Sequence, residues 1–334
     1  MDDELEAGWQ KLDEGKLEEA LAAAEAVLQK NADSPEGYTL RGAVAAASGD
    51  SEAAYAAYER AMALDAEYVE PRLLCAELAA IEGDGERARE LCDEALDLAE
   101  EEDEYLDALL LKAEVELGDE DPDAAAATLS ELPPPSVALP SGAHHLRAAD
   151  CFLELEDVEL SEQHYQAALK LDAEDADALY GLGMCAELRG DAAAQKNFFR
   201  QVAAVDRKAE RTPWAVSADR LEEIVEAALG ELPERARALL GNVSILVEDY
   251  PSDELIGDGL DPRILGLFAG TPFPEQPSMG AAPHLEHVLL FHRNIERVAR
   301  SPEEMEDQVR VTLLHETGHF FGLDEEELAE LGLD

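Results

Sequence analysis

The stretch that decides the fold of the first half of the chain is residues 49–68, GDSEAAYAAYERAMALDAEY. Related segments occupy residues 15–35 and 83–102, so that successive segments begin 34 residues apart. The same spacing relates their small residues, which are Gly15, Gly49 and Gly83, and Ala20, Ala54 and Ala88. A fixed period of this length predicts helix–turn–helix units that bury their apolar faces against neighbouring units.

The same phase returns further along the chain, where Tyr165 and Phe199 are again 34 residues apart. We count six units, which start near residues 1, 35, 69, 106, 142 and 176. The fourth unit is degenerate and ends in three prolines at 133–135, followed by a loop to Gly142. Because no helix passes through three prolines, a break in the array is expected near 133–141.

This pattern resembles the tetratricopeptide repeat, and the resemblance covers residues 1–208. It implies an all-α superhelix with a groove that holds a protein or peptide partner. The family places a glycine in the turn between the two helices of a repeat, and repeat five has Glu156 there instead. The small residues that match the first helix of the repeat are Gly42, Ala76, Ala149 and Gly183, and the matching turn glycines are Gly15, Gly49, Gly83 and Gly190.

The chain of 334 residues has 25 Lys and Arg against 78 Asp and Glu, which gives a formal net charge of −53. This deficit of cations argues against nucleic acid as a partner, because phosphate contacts need Lys and Arg. The acidic residues are spread along the chain, as expected for solvated helix faces. A high-salt habitat and a basic partner remain open as further explanations.

The first ten residues, MDDELEAGWQ, lack the basic and apolar character of a signal segment, and no apolar run is long enough to span a membrane. The four cysteines form no CxxC pair and fall at helix positions where cysteine packs as a small apolar residue. We therefore expect a cytoplasmic protein with no membrane association. The cysteines are Cys75, Cys92, Cys151 and Cys185. His144, His145 and His164 show no pattern of carboxylate partners, which indicates surface or packing residues.

The 34-residue phase stops after Asp206, and residues 209–217 form a junction. Residues 218–334 then show a different pattern of helix and strand signals, which predicts a small α+β domain. It begins with an amphipathic helix from SADRLEEIVEAALGEL. Three strands follow, from VSILVEDY, ILGLFAGTPF and HLEHVLLFHRNIERVA, and the third strand continues into a helix near Asn294. The next helix comes from SPEEMEDQVRVTLLHETGHFFG, where Ser301 is the expected cap and Pro302 lies in the first turn.

The helix from SPEEMEDQVRVTLLHETGHFFG carries the motif His-Glu-x-x-His. His315 and His319 are four residues apart, so both imidazoles lie on one face and can bind a single ion. Glu316 lies between them, where zinc hydrolases place a general base that is not a ligand. Gly322 can end the helix, and Glu325 follows at the spacing of a third ligand. Asp324 and Glu327 suit a capping box for the helix that follows.

Residues 216–334 resemble the minimal zincin-like metallopeptidases, through ILGLFAGTP, HVLLFHRNIER and VTLLHETGHFFGLDEEEL. The resemblance implies a three-stranded mixed sheet that carries the motif helix. It implies one Zn²⁺ per chain held by His315, His319 and Glu325. It also implies hydrolysis of amide bonds by metal-bound water, with Glu316 as general base and the repeats recruiting a peptide substrate.

Two readings of this combination stay open. The first is a zinc metallopeptidase recruited by its repeats, and the second is a non-catalytic interaction scaffold with a structural or idle metal site. Glu316 favours the enzyme, whereas the lack of a Tyr or His beyond the motif as oxyanion donor favours the scaffold. Candidates for that donor are His284, His287 and His292, and candidates for orienting substrate groups are Arg293 and Arg297.

Overall fold

The structure is a computed structural model that describes residues 2–212, 215–232, 234, 240, 243–270 and 286–330. The chain divides into two compact units, Met1–Leu188 and Arg189–Asp334. Within the described residues, no helix combines the length and apolar character that crossing a membrane requires.

The first unit is built of helices that follow one another as antiparallel pairs, as the repeat pattern predicts. The degenerate fourth repeat also forms such a pair, α7 and α8. The helices are α1 Asp2–Asp13, α2 Leu17–Lys30, α3 Pro35–Ala47, α4 Ser51–Leu64, α5 Glu70–Ile81, α6 Gly85–Leu98, α7 Glu102–Gly118, α8 Pro122–Leu129, α9 Gly142–Glu154, α10 Val158–Leu171 and α11 Ala176–Leu188.

The turn inside each repeat needs a residue with positive φ, and this explains the periodic glycine. Gly49 and Gly83 have φ values of 81° and 80°, respectively. Glu120 and Glu156 adopt the same left-handed conformation at φ 58° and 59°, so two repeats make the turn without glycine. The aspartate that follows the turn caps the next helix, as when the Asp50 side chain accepts a hydrogen bond from the amide of Ala53.

Small residues let the helices of the first unit approach closely. Ala20, Ala54 and Ala88, which share the 34-residue phase, are fully buried. A Cβ added to Gly42 would lie 2.5 Å from the ring of Tyr58, so this glycine makes room for an aromatic side chain.

The cysteines of the first unit are packing residues, as predicted. All four are buried, and none of these four forms a disulfide bond. Burial raises the pKa of the Cys92 and Cys151 thiols to about 12, so that both stay protonated at neutral pH.

The three prolines at 133–135 lie in a non-helical segment between α8 and α9. Helix α7 nevertheless packs against α9. The first helices of repeats four and five are therefore neighbours although the chain between them is irregular.

The second unit combines helices with a small sheet. The described elements are α12 Ala192–Asp206, α13 Ala218–Glu231, β1 Val243–Glu248, α14 Asp253–Asp258, β2 Gly266–Ala269, β3 Glu286–Phe291, α15 His292–Val298, α16 Pro302–Phe320 and α17 Glu325–Glu330. The sequence did not predict α14, a six-residue helix capped by Ser252, whose hydroxyl accepts a hydrogen bond from the amide of Leu255.

The sheet has the order β1-β3-β2 in the described part of the chain. Strand β1 is parallel to β3, and β2 is antiparallel to β3, so that the sheet is mixed as expected. Its core joins Val288 and Leu290 of β3 to Leu221 of α13 and to Met305 and Val309 of α16. The predicted fold class, an all-α repeat region followed by a small α+β domain, is confirmed.

A candidate metal centre beside an edge strand

The helix that carries the His-Glu-x-x-His motif is fixed by its cap and by its buried face. The Ser301 hydroxyl accepts a hydrogen bond from the amide of Glu304, and Pro302 occupies the first turn, as the sequence predicts. Met305, Val309 and Leu313 recur every four residues and are fully buried. This apolar stripe holds α16 against the sheet and fixes where the polar residues of its last two turns lie.

The two histidines of the motif point at one position. The Nε2 atoms of His315 and His319 are 3.0 Å apart. His319 Nδ1 lies 3.1 Å from the carbonyl oxygen of Leu323, and it must donate because that oxygen can only accept. The Nε2 atom of His319 is therefore the nitrogen with a lone pair, which is the tautomer that a metal ligand requires.

Glu316 lies beside the histidine pair and is held by the sheet. Its side chain is buried, and its Oε2 atom accepts a hydrogen bond of 2.6 Å from the amide of Phe268 in β2. The carbonyl of Leu265 faces β3, where it accepts from the amide of Phe291. Because residues of a strand alternate in direction, the amide of Phe268 faces away from β3, at the edge of the sheet.

Gly266 allows this close approach of β2 to α16. A Cβ at this position would lie 2.7 Å from Thr312 Cγ2 and 2.8 Å from Glu316 Cγ. Neither neighbour is a loose surface group, since both residues are buried. Glycine at 266 is thus a packing requirement of the site.

A cleft of about 400 Å³ opens between β2 and α16 next to these residues. Its walls are mainly apolar, with Gln308 and Thr312 as the polar side chains besides the motif residues. The lining consists of Ile264, Leu265, Gly266, Leu267, Phe268, Gln308, Val311, Thr312, His315, Glu316 and His319. The cleft therefore joins an apolar binding surface to a set of potential ligands and a carboxylate.

The third predicted ligand, Glu325, is the first residue of α17, and its side chain lies outside the described residues. The backbone around it agrees with the sequence prediction. Gly322 follows the motif helix with a φ of 83°. The capping box is present, since the amide of Glu327 donates to Asp324 and the amide of Asp324 donates to Glu327. Among the side chains that the structure describes, no three His, Cys, Asp or Glu form a metal-binding group.

The histidine pair fits a zinc ion. Two nitrogens bound at about 2.0–2.1 Å to one tetrahedral zinc are about 3.3 Å apart, close to the separation found here. The fixed tautomer of His319 agrees with the same assignment.

Comparison with protein families identifies both parts of the chain. The family described as Zincin-like metallopeptidase matches residues 240–333, which include the motif helix and the three strands that the structure describes. The tetratricopeptide repeat family matches residues 5–69 and 146–210. The chain is a tetratricopeptide repeat protein with a zincin-like metallopeptidase domain.

Solved structures resemble this chain in fold. PilW, a widely conserved type IV pilus biogenesis factor, has 14% sequence identity and a TM-score of 0.51, over 63% of this chain and 94% of its own. PilF of Pseudomonas aeruginosa has 16% identity and a TM-score of 0.48, over 61% of this chain and 90% of its own. TTC0263, a thermophilic repeat protein of Thermus thermophilus, has 19% identity and a TM-score of 0.45, over 56% and 97%. No curated protein matched the sequence.

The other candidates from the sequence lie elsewhere in the zincin-like domain. His284 is outside the described residues, and neither His287 nor His292 lines the cleft. His292 is buried beside Arg211, whose Nη2 lies 3.2 Å from His292 Nε2. Arg293 donates to the carboxylate of Glu296 at 3.2 Å and to the carbonyl of Ala209 at 2.8 Å. Of the two candidate arginines, Arg293 has a structural role in holding the junction segment.

Glu296 is the centre of that structural cluster. It is buried, and its carboxylate accepts hydrogen bonds from Arg211, from the amide and hydroxyl of Thr212, and from Arg293. Burial opposes ionisation of this group, but these donors outweigh it and lower the pKa of Glu296.

Sequence reasoning missed this cluster around Glu296. It also missed three features of the candidate site, which are Gly266, the amide of Phe268 and the carbonyl of Leu323. Only the GLFA segment after Leu265 offered a signal, since a glycine within a strand often marks a close approach.

Proposed function

We propose that the protein is a zinc-dependent metallopeptidase that uses its repeats to hold a protein or peptide. The observation that carries this proposal is the convergence of His315 and His319, with Nε2 atoms 3.0 Å apart, beside the buried carboxylate of Glu316. A purely structural zinc site has no use for a carboxylate that is not a ligand.

The proposed ligands are His315, His319 and Glu325, one zinc ion per chain. When bound, zinc would polarise the scissile carbonyl and make a water molecule acidic enough to react at neutral pH. The carbonyl of Leu323 keeps the His319 ring in the ligating orientation.

Glu316 is the proposed general base, which takes a proton at Oε1 or Oε2 and passes it to the leaving amine. The amide of Phe268 restrains Oε2, so that the second carboxylate oxygen is presented in a fixed direction. Such restraint reduces the reorganisation needed when the proton moves.

The substrate of this site would be a peptide with an apolar side chain near the cleaved bond. Ile264, Leu267, Phe268 and Val311 supply the apolar walls of the cleft. The carbonyl of Phe268 faces the open edge of β2, as its amide does, and can pair with an extended peptide backbone.

The repeat unit would bring the substrate or a larger assembly to this site, as other repeat arrays do through their inner helices. We propose that the protein acts in the cytoplasm, because its four cysteines form no disulfide bond. We propose no nucleic-acid partner, because its composition is strongly acidic.

The second candidate function is an interaction scaffold whose metal site is structural or idle. One observation favours it. Apart from the motif histidines, no Tyr or His side chain lines the described cleft as an oxyanion donor. The two functions predict different effects of replacing the Glu316 carboxylate, since only the enzyme would lose peptide hydrolysis.

The deciding experiment is elemental mass spectrometry of the purified chain, followed by digestion of a peptide library. We expect one zinc per chain, and loss of that zinc in His315→Ala. Glu316→Gln should keep the zinc and lower peptide hydrolysis by about 10²–10⁴-fold, the usual effect of a general base.

The matched control is Glu326→Gln, which makes the same change at an exposed position of α17 and should retain activity. A zinc-loaded wild type that cleaves no library peptide would support the scaffold. A chain that takes up no zinc would overturn both assignments of the site.

A further inference from the structure

A second cleft, of about 650 Å³, lies in the repeat unit between α5 and α7. We call it the repeat cleft. Ala80, Leu111 and Val115 form its apolar floor. Ile81 stands at its rim with 82% of its surface exposed, although it is a large aliphatic residue. Ile81 and the apolar floor together form an apolar surface that is open to a partner.

The wall of the repeat cleft is acidic. Glu77 and Glu114 line it together with Arg147 of α9. The Arg147 guanidinium is engaged with Glu114 through two hydrogen bonds of 2.7 and 2.8 Å, and with Asp107 through one of 3.1 Å. Arg147 thus pairs with two carboxylates, and Glu77 adds a third negative charge, so that the wall keeps an excess of negative charge.

Glu77 lies on the cleft wall with a solvent-exposed side chain. Nearby protein atoms still remove part of the hydration of its carboxyl group, and this desolvation raises the pKa of Glu77. Arg147 acts in the opposite direction, while the like charges of Glu114 and Asp107 add to the increase. A cation placed beside Glu77 would therefore relieve a repulsion that the chain itself leaves in place.

We propose that the repeat cleft binds an extended segment of another protein, in which an Arg or Lys is flanked by aliphatic residues. The cation would lie against Glu77 and Glu114, and an aliphatic side chain would cover Ile81 and the floor. This inference deepens the proposed function, because it gives the chemistry of the segment that the repeats recruit and rests on their role in recruitment.

The test is fluorescence anisotropy with the full chain carrying Glu316→Gln, so that no peptide is cleaved. The probe is a labelled peptide of sequence GSGLRLGSG. Two further peptides replace its arginine by glutamate or both leucines by serine. We expect the first peptide to bind more weakly as salt rises from about 50 to about 500 mM, because screening weakens the ion pair, and we expect both altered peptides to lose binding.

Two side chains that reach the surface of the cleft can be changed without disturbing a core. Glu77→Gln and Ile81→Ser should each weaken binding of the first peptide by about tenfold, the loss expected for a charge-assisted contact or an apolar anchor. The matched controls are Glu52→Gln on α4 and Leu171→Ser on α10, both exposed and away from the cleft. These controls should leave binding unchanged.

Equal binding of the serine peptide, or an equal effect of Glu77→Gln and Glu52→Gln, would show general attraction to an acidic chain and would overturn the proposal. Zinc content and hydrolysis are measured separately on the wild type. Binding without hydrolysis would therefore overturn the peptidase assignment alone, and hydrolysis without specific binding would overturn only the repeat cleft.

Discussion

The position of Glu316 depends on the space that Gly266 leaves beside it. Gly266 leaves just enough space for the Glu316 side chain to lie against β2 and accept the hydrogen bond from Phe268. A methyl group at 266 would meet Thr312 and Glu316 at distances that atoms do not adopt without movement.

We therefore predict that Gly266→Ala destabilises the zincin-like domain and displaces Glu316. Overpacking of this kind costs about 1–3 kcal/mol. Hydrogen exchange should show faster exchange in β2 and α16, and zinc affinity measured by chelator competition should fall, because the motif helix shifts.

Gly230→Ala is the control, since nothing lies within 4 Å of an added Cβ there and the residue is exposed near the end of α13. It should be neutral or stabilising by about 0.5–1 kcal/mol. If hydrogen exchange and zinc affinity changed no more in Gly266→Ala than in Gly230→Ala, the site would not require the close fit of β2 to α16.

Residue-level contacts divide into those that local sequence encodes and those that it does not. The cap of α16, the turn at Gly322 and the Asp324–Glu327 box were predictable, because each involves residues within four positions. The bond between Glu316 and Phe268 spans 48 positions and depends on how a strand packs on a helix. The ligand roles of His315, His319 and Glu325 stay predictions.

The histidines of the repeat unit illustrate the same limit. His144 is buried, which agrees with a packing role, but the sequence pattern did not reveal its carboxylate neighbour, since His144 Nε2 lies 3.3 Å from Asp107. The two residues belong to different repeats, so that the pattern within a single helix could not reveal the contact.

At the scale of elements, α9 and α10 meet through two buried histidines. The Nδ1 atoms of His145 and His164 are 3.1 Å apart, and the His164 ring stacks on Phe152. Burial lowers the pKa of His164 to about 4, and the proximity of His145 adds to this decrease. Burial likewise lowers the pKa of His145.

This contact makes the pairing of α9 and α10 sensitive to acid. A histidine whose folded pKa lies below its unfolded value of 6.5 stabilises the fold fully above pH 6.5. That stability is lost as pH falls from about 6.5 towards about 4, where the unfolded chain binds protons first. Exchange protection in α9 and α10 should therefore fall between about pH 7 and about pH 5.5, a range in which ordinary carboxylates stay ionised.

His164→Asn removes one titrating group and keeps a polar side chain of similar reach. Its protection factors should change less over the same pH range than those of the wild type. An unchanged pH dependence would mean that other groups control the acid response of this helix pair.

Elements were predicted most securely where a long pattern defines them. The 34-residue phase located the helix pairs, and the alternating, β-branched segment VSILVEDY located β1. The six-residue α14 was missed because a helix of fewer than two turns has no period to detect. Helix α15 begins at His292 and not near Asn294, because pairing with β1 ends at Phe291.

At the scale of the whole molecule, a net charge of −53 governs behaviour in solution. Repulsion among so many carboxylates opposes the compact state, and dissolved salt screens it over distances of about 10 Å at 0.1 M. We predict that the unfolding temperature rises with added NaCl at pH 7, as measured by differential scanning calorimetry.

A comparison near the isoelectric point provides the control. At about pH 4.2 the net charge is close to zero, so that the same addition of salt should have a much smaller effect. If added salt left the unfolding temperature at pH 7 unchanged, two ideas would be contradicted. One is that repulsion among the carboxylates opposes folding, and the other is that the acidic composition is an adaptation to a high-salt habitat.

The buried cysteine thiols of the repeat unit should make the protein unreactive towards thiol-specific reagents. Burial raises the pKa of Cys92 and Cys151 to about 12, and all four cysteines are buried. We therefore expect a maleimide dye, which reacts with accessible thiolates, to label none of them in the folded protein. One cysteine introduced at an exposed site, such as Glu52→Cys, would be labelled selectively. A second cysteine at Glu326→Cys would complete a donor–acceptor pair of dyes. Energy transfer between the dyes would then report any change in the distance between the two labels when zinc or peptide is added.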